Sequence, residues 1–454
     1  MALRAGVVHG VTATDPQLTQ CQRRARRSFR IMEGQMAEDN NRSNSDHRWI
    51  VLILAGLTAT LVIAAPTMAL PVLFHEMSAD LGLSLVQIGA VWGIVSLAGV
   101  FAALLGGAIG DRFGTKRTLA VGCLVLGVAG AARGFSGDLA ALSGTVFLSG
   151  LVSTAIPINL HKVCAVWFPT RRLGLANGVI AAGMALGFMI GSMISATVLS
   201  PWLGGWRHVL FFYGAIACVM SMPWALTRSA PENRRSSTGD GAVQSIRLAL
   251  LRVARLRNVW LLGIAMLGVG GCIQGVLGYL PLYLREIGWP GAQADAALSS
   301  FHAISLACVF PLALLSDRLG SRKAFLVVAT LMTVAGAGLL SVASGAIVWV
   351  AVLMAGVVRD GYMAIFMTTI TEIDGVGMLY AGTAIGLTQT LSRVGGLIAP
   401  PLGNSLAGIG LRLPFLLWAA MALVGFAALA RFGRNRTRKT APVVPPSPAG
   451  KDVL

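Results

Sequence analysis

Charged residues are scarce in this chain. Asp, Glu, Lys and Arg make up 12% of its 454 residues, whereas an ordinary soluble domain has about 25%. Hydrophobic residues make up 55%, so the composition predicts a membrane protein. The 55 glycines agree with this prediction, because helices in lipid attract one another through close contacts between small residues.

The chain also lacks the residue patterns of common enzymes and metal proteins. Its six cysteines are scattered, and no pair has C-x-x-C or zinc-site spacing. No phosphate-binding loop of the type G-x-x-x-x-G-K-[ST] occurs. The formal net charge of +18 lies in links between apolar runs, a pattern of membrane topology rather than of a nucleic-acid surface. We therefore expect no enzyme activity, cofactor, metal or nucleic-acid partner.

Apolar runs of about 20 residues, the length that crosses a bilayer as a helix, predict twelve transmembrane helices and an all-α fold. Six are expected at 50–73, 85–108, 117–136, 139–162, 173–199 and 207–226. Six more are expected at 259–284, 296–315, 323–342, 346–370, 378–404 and 411–431.

A charged turn between the second and third runs reads G-A-I-G-D-R-F-G-T-K-R, from Gly107 to Arg117. A weaker copy around Asp317, Arg318 and Gly320 recurs about half a chain later, again between two apolar runs. A repeat at this spacing indicates two similar halves.

The first turn resembles the signature loop of the major facilitator superfamily. The resemblance implies two pseudo-symmetric six-helix bundles, with the loop latching them together on the cytoplasmic side. The latch residues it implies are Gly107, Asp111, Arg112, Gly114, Lys116 and Arg117, with Asp317, Arg318 and Gly320 in the copy. The alternative is that the basic residues only anchor topology.

The short links predict the orientation and the domains. Most Lys and Arg residues fall on one face if the amino terminus is cytoplasmic, so both termini are expected inside a multi-pass inner (plasma) membrane protein. Arg133 and Arg207 are among the few arginines expected at the outer face. The expected segments are a disordered tail (1–48), a six-helix bundle (49–226), a cytoplasmic linker (227–257), a second bundle (258–432) and a disordered tail (433–454).

The junction from Trp167 to Gly178 reads W-F-P-T-R-R-L-G-L-A-N-G. It resembles a junction in superfamily branches that carry organic or inorganic anions, including cyanate- and nitroimidazole-type transporters, although Leu173 replaces the arginine of that pattern. Gly183, Gly187 and Gly191 follow at every fourth residue and predict a smooth helix face. Proton-driven drug exporters of the family usually have a Gly-Pro step here, and this chain has Phe188 after Gly187.

Three charges fall near helix centres: Arg359 and Asp360 in helix 10 and Arg393 in helix 11. Each would cost about 2.5 to 3.5 kcal/mol facing lipid, so they must face a wet cavity or one another. Adjacent residues on a helix point about 100° apart, so Arg359 and Asp360 are not expected to pair. We expect Asp360 to meet Arg393, or both arginines to face a shared ligand. A structural ion pair between the two helices is the alternative.

Two weaker binding candidates are Gln274 in helix 7, among glycines, and His302 in helix 8, for which a packing role is the alternative. Glu372 and Asp374 end helix 10 and are expected to contact the basic inner surface.

The combined prediction is a secondary transporter that moves a small organic or inorganic anion by alternating access. Arg359, Arg393, Gln274 and His302 are the predicted substrate-binding residues and Asp360 the proton-coupling acid. The expected partners are the anionic substrate, protons and the lipid bilayer. An exporter of amphipathic drugs or metabolites is the first alternative, and a transporter-like sensor or scaffold is the second.

Overall fold

The computed structural model describes residues 47–227, 246–319 and 321–433. The predicted tails and most of the predicted linker, 228–245, lie outside these ranges, as does Gly320. Two units are distinguished, Met1–Ile53 and Leu54–Leu454, and all contacts discussed below lie within the second.

Eleven long helices and one, the tenth, that is divided into α10a and α10b, numbered here in chain order, account for almost all described residues, and they coincide with the predicted runs. A π-helical segment, Thr58–Ala64, leads into α1. The first half contains α1 (Ala65–Leu81), α2 (Leu85–Phe113), α3 (Thr115–Ala132), α4 (Leu139–Trp167), α5 (Thr170–Ile194) and α6 (Trp206–Leu226). The second half contains α7 (Arg257–Glu286), α8 (Gly291–Leu319), α9 (Arg322–Leu340), α10a (Ile347–Val357), α10b (Arg359–Thr371), α11 (Gly377–Leu406) and α12 (Leu413–Arg431). A short helix, Ile246–Ala254, precedes α7.

Ten helices of the described part of the chain are long and apolar enough to cross a membrane. They are His47–Leu81, Leu85–Ala102, Thr115–Phe135, Leu139–Trp167, Arg171–Leu203, Trp206–Leu226, Arg257–Glu286, Arg322–Leu340, Ile347–Thr371 and Leu413–Arg431. The described parts of α8 and α11 do not meet that criterion. An all-α membrane fold is therefore confirmed, and twelve crossings stay a prediction.

The two halves repeat the same pattern of helix pairs. In the first half α1 packs on α5, α2 on α4 and α3 on α6; in the second, α7 packs on α11, α8 on α10 and α9 on α12. Adding six to the helix numbers of each first-half pair gives a pair of the second half. This repetition is expected for two pseudo-symmetric bundles. Between the halves, α2 packs on α11 and α5 packs on α8.

The predicted glycine face of α5 is in contact with the first helix. A methyl group added to Gly187 would lie 2.5 Å from the Thr60 carbonyl oxygen, and one on Gly191 would overlap the carbonyl oxygen of Ala65. Any larger residue would push the two helices apart, because these neighbours are main-chain atoms.

Candidate functional site

The charged pair in helix 10 lies at a break in that helix. α10a ends at Val357 and α10b begins at Arg359, with Val358 at φ −93° and ψ −10° between them. Just before the break, Gly356 packs so closely on α8 that an added methyl group would lie 2.6 Å from the Phe301 carbonyl oxygen. This close approach places the break beside α8.

Arg359 and Asp360 form an ion pair, which the sequence analysis did not expect. Arg359 Nη1 lies 2.9 Å from Asp360 Oδ1. Ser305 of α8 donates to Asp360 Oδ2 at 2.7 Å and accepts from the Asp360 main-chain N–H at 3.2 Å. The expectation from helix geometry was wrong because the long arginine side chain reaches the carboxylate of the next residue, although both residues lie in α10b.

The pair lies where the two halves of the chain meet. The Arg359 guanidinium carbon is 5.2 Å from the ring centroid of Phe188, which belongs to α5 in the first half. This distance is within the range of a cation–π interaction. The side chains of Arg359 and Asp360 remain 21% and 30% accessible, so both can be reached by a ligand or by water.

His302 is close to the same phenylalanine, with ring centroids 5.3 Å apart. It is 1% exposed, and neither ring nitrogen has a hydrogen-bond partner among the described residues. A buried polar group without a partner costs about 1 to 3 kcal/mol. The structure thus brings together two of the predicted substrate-binding residues, Arg359 and His302, with Asp360.

Arg393 lies elsewhere, between α11 and α2. A methyl group on Gly99 would be 2.9 Å from Arg393 Cζ, so the guanidinium rests on the glycine of the opposite half. The carboxylate of Asp360 is bound by Ser305 and Arg359 instead. The expected Asp360–Arg393 pair is therefore wrong for this structure, because Asp360 is bound to Arg359 and Ser305 and the Arg393 guanidinium lies against Gly99 of α2.

Gln274 contributes its main chain to a contact between the halves. Trp92 of α2 donates its indole N–H to the Gln274 carbonyl oxygen at 2.8 Å. The Gln274 side chain lies near α11, with Cγ 3.4 Å from a methyl group placed on Gly396. Gln274 and Arg393 both lie near the junction of α2 with the second half, on different helices from the Arg359 pair.

The latch loop is only partly described. Gly114 has φ +82°, which explains the glycine at this turn. Arg112, Arg117 and Arg318 are exposed, and Lys116 is half-buried. The surroundings of Gly107 and the side chains of Asp111 and Asp317 are not among the described features, and Gly320 lies outside the described residues, so the latch stays a prediction.

Beside the second-half copy of the loop, Arg322 forms an ion pair with Glu372, as expected for an acid near this basic surface. Lys323 donates to the carbonyl oxygen of Phe432.

The helix ends opposite the latch loop, called the outer end from here on, carry hydrogen bonds between the halves. Thr197 donates to Asp295 Oδ2 at 2.6 Å, Ser299 to the Met189 carbonyl oxygen at 3.0 Å, and Asn404 to the Leu85 carbonyl oxygen at 2.8 Å. These bonds tie the halves together at this end.

Two buried charges near the outer end were missed as functional candidates. Asp295 is fully buried and also accepts from Arg285 Nη2 at 2.6 Å. Arg133, expected in an outer link, is 6% exposed. Asp295 falls in a predicted link, directly before the helix expected at 296–315, whereas the observed α8 begins at Gly291. The inward turn of Arg133 has no sequence signal.

Among the residues that the structure describes, no three His, Cys, Asp or Glu side chains group closely enough to hold a metal ion. The chemistry available at the Arg359 site is ion pairing, hydrogen bonding and proton transfer.

Comparison with known proteins identifies the fold. Residues 49–400 match the Major Facilitator Superfamily. The chain is 26% identical over 306 residues to the cis,cis-muconate transport protein of Acinetobacter baylyi, covering 63% of this chain and 71% of that protein. It is 25% identical over 396 residues to a probable sulfoacetate transporter of Cupriavidus necator, covering 80% and 87%.

Among solved structures, an inward-facing bacterial homologue of the human lysosomal transporter Spinster superimposes with a TM-score of 0.69 at 15% identity. The match covers 85% of this chain and 98% of that one. At this low identity it shows a similar fold only.

Proposed function

The chain belongs to the major facilitator superfamily, and from that premise we propose that it is a secondary transporter of a small organic or inorganic anion. The observation that carries the proposal is the Arg359–Asp360 ion pair at the helix 10 break, in contact with Phe188 of the other half. A guanidinium binds carboxylates, sulfonates and nitrate through parallel N–H donors. The muconate and sulfoacetate carriers among its relatives support an anionic substrate.

Asp360 is the proposed proton-coupling acid because it competes with the substrate for Arg359. While Asp360 is ionised, it occupies one guanidinium nitrogen at 2.9 Å. A proton on Asp360 removes that charge and frees Arg359 for the anion. Proton and monoanion then bind together with no net change in charge, and alternating access carries both across.

His302, Gln274 and Arg393 complete the proposed binding set. His302 supplies an unpaired ring nitrogen beside Phe188. Arg393 and Gln274 lie near the junction of α2 with the second half. If the two halves rock against each other during transport, both side chains come within reach of the transported anion. The loop around Asp111 and its copy around Asp317 form the proposed cytoplasmic latch.

We propose the predicted topology as well. Two bundles, 49–226 and 258–432, are joined by a cytoplasmic linker, 227–257, in the inner membrane. A fluorescent reporter fused after Phe432 should be active on the cytoplasmic side, and alkaline phosphatase activity at the same position would contradict this orientation.

The test of function is uptake into proteoliposomes. The probes are labelled cis,cis-muconate, sulfoacetate, nitrite, nitrate and cyanate, with and without an inward proton gradient. At least one should enter through the wild type, enter faster with the gradient, and be lost in Arg359→Gln. Arg412→Gln is the matched control, because Arg412 is exposed and its hydrogen bond within the described part of the chain is to the carbonyl oxygen of Val342, at 3.4 Å. Equal uptake by both variants would contradict the proposal.

The coupling step is tested by Asp360→Asn. This variant should still exchange labelled for unlabelled anion across the membrane, but its uptake should no longer respond to the proton gradient. A response equal to that of the wild type would exclude Asp360 as the coupling acid.

A further inference from the structure

Arg133 points into the first bundle although it lies at the outer end of α3. It begins a single 3₁₀ turn, Arg133–Phe135. Arg207 holds this turn from the other side, with Nη1 donating to the carbonyl oxygens of Gly134 at 3.0 Å and Ser136 at 2.8 Å. With the turn fixed in this way, Arg133 packs inward and its Nε donates to the Gly130 carbonyl oxygen at 3.1 Å.

Three acids of the first half are bound to groups other than Arg133. Asp80 pairs with Arg207 at 2.8 Å, Glu76 accepts from Ser200 at 2.6 Å, and Asp138 caps α4 through the Ala141 N–H at 2.7 Å. Among the described residues, no carboxylate forms an ion pair with Arg133. A buried cation is costly unless an anion or hydrogen bonds compensate for its lost hydration.

A small cavity lies against the Arg133 side chain. It has a volume of about 30 Å³ and is lined by residues of α1, α2, α3 and α4 and of the π-helical segment before α1. Its polar lining comes from Arg133, Thr67, Ser149 and Ser153. A space of this size holds a few atoms, since about 10 to 15 Å³ suffices for one water molecule.

The hydroxyl groups around the cavity can turn toward a ligand. Ser149 and Ser153 donate to main-chain carbonyl oxygens three residues earlier, at 3.0 and 3.1 Å. Those carbonyl oxygens belong to the helical ladder of α4, so both hydroxyls can rotate to donate elsewhere without leaving an acceptor unpaired. Arg133 has only one described hydrogen bond, which leaves its terminal nitrogens as donors.

We propose that Arg133, with Ser149 and Ser153, binds a small inorganic monoanion of the size of chloride or nitrite inside the first bundle. This site lies on α3 and α4, apart from the Arg359 pair on α10b, and it does not depend on the transport proposal. The bound anion neutralises the buried guanidinium and stabilises the first bundle.

The test is anion-dependent thermal stability of the purified full chain in detergent. Chloride, bromide and nitrite are titrated at constant ionic strength against gluconate, which is too large for the cavity. The wild type and Arg412→Gln should show a saturable rise in melting temperature. In Arg133→Gln the apparent affinity should fall about 10- to 100-fold, as expected when a hydrogen bond to a charged group is lost. Unchanged saturation in Arg133→Gln, or no saturable response in the wild type, would overturn the proposal.

A second measurement covers the case in which Arg133→Gln does not fold. Crystals of the wild type grown in bromide should show an anomalous peak within hydrogen-bonding distance of the Arg133 guanidinium. Bromide peaks confined to other places would contradict the site. Failure of anion uptake in Arg359→Gln has no bearing on either result, so the two proposals can fail separately.

Discussion

Replacing Thr197 by valine should shift the protein toward a state in which the outer end is open. Valine keeps the shape of threonine and removes the hydroxyl that donates to Asp295 Oδ2 across the two halves at 2.6 Å. Asp295 keeps its ion pair with Arg285, which lies in the same half, so the change removes one bond between the halves and leaves the buried acid paired.

The size of the shift follows from the kind of bond that is lost. A hydrogen bond to a charged group contributes about 1.5 to 3 kcal/mol net. Because this bond exists only while the outer ends touch, the ratio of open to closed molecules should rise about 10- to 100-fold.

The assay is the distance between spin labels at Trp202→Cys and Ile409→Cys, measured by double electron–electron resonance. Both positions are exposed at the outer end, one in each half. The longer-distance population should grow in Thr197→Val. Ser200→Ala is the matched control, because Ser200 donates to Glu76 at the same 2.6 Å but within one half. An unchanged distribution in Thr197→Val, or an equal change in the control, would refute the reasoning.

Three further variants test the packing and the site, each by thermal melting in detergent. Gly187→Ala should lower the free energy of unfolding by about 1 to 3 kcal/mol, because the methyl group would lie 2.5 Å from a main-chain oxygen. Its control is Gly178→Ala on the same helix, whose methyl group would meet nothing within 4 Å, so this variant should be neutral or stabilising. His302→Leu should fold with equal or higher stability, since it removes an unpaired buried polar group, yet lower anion uptake; a wild-type uptake rate would assign His302 to packing. Glu372→Gln should change stability by no more than about 1 kcal/mol, because its ion pair with Arg322 is exposed; a loss several times larger would show that the pair is structural.

The sequence was sufficient for the features that depend on local pattern. Apolar runs long enough to cross a bilayer predicted the all-α membrane fold, and ten helices of the described part of the chain are long and apolar enough to span lipid. The spacing of Gly183, Gly187 and Gly191 predicted a face for close packing, and this face contacts the first helix. The high free-energy cost of a charge in lipid predicted that Arg359 and Asp360 face a cavity or another charge.

The partners of the charges could not be predicted in the same way. The Arg359–Asp360 pair joins consecutive residues of α10b through the long arginine side chain, just after the break that lies where Gly356 packs against α8. The bond from Thr197 to Asp295 joins residues 98 positions apart. The inward turn of Arg133 depends on Arg207 of another helix. Each of these contacts depends on tertiary packing. The periodicity of hydrophobic residues predicts helices but not which side chains meet.

The central claim is that Arg359 binds the transported anion where the two halves meet. Isothermal titration of each anion of the uptake panel into the purified protein tests it most directly. The account predicts saturable binding to the wild type, about 10- to 100-fold weaker binding to Arg359→Gln, and a change of no more than about twofold in Arg412→Gln. Binding to Arg359→Gln as tight as to the wild type would contradict the claim and leave Arg359 and Asp360 as a structural ion pair.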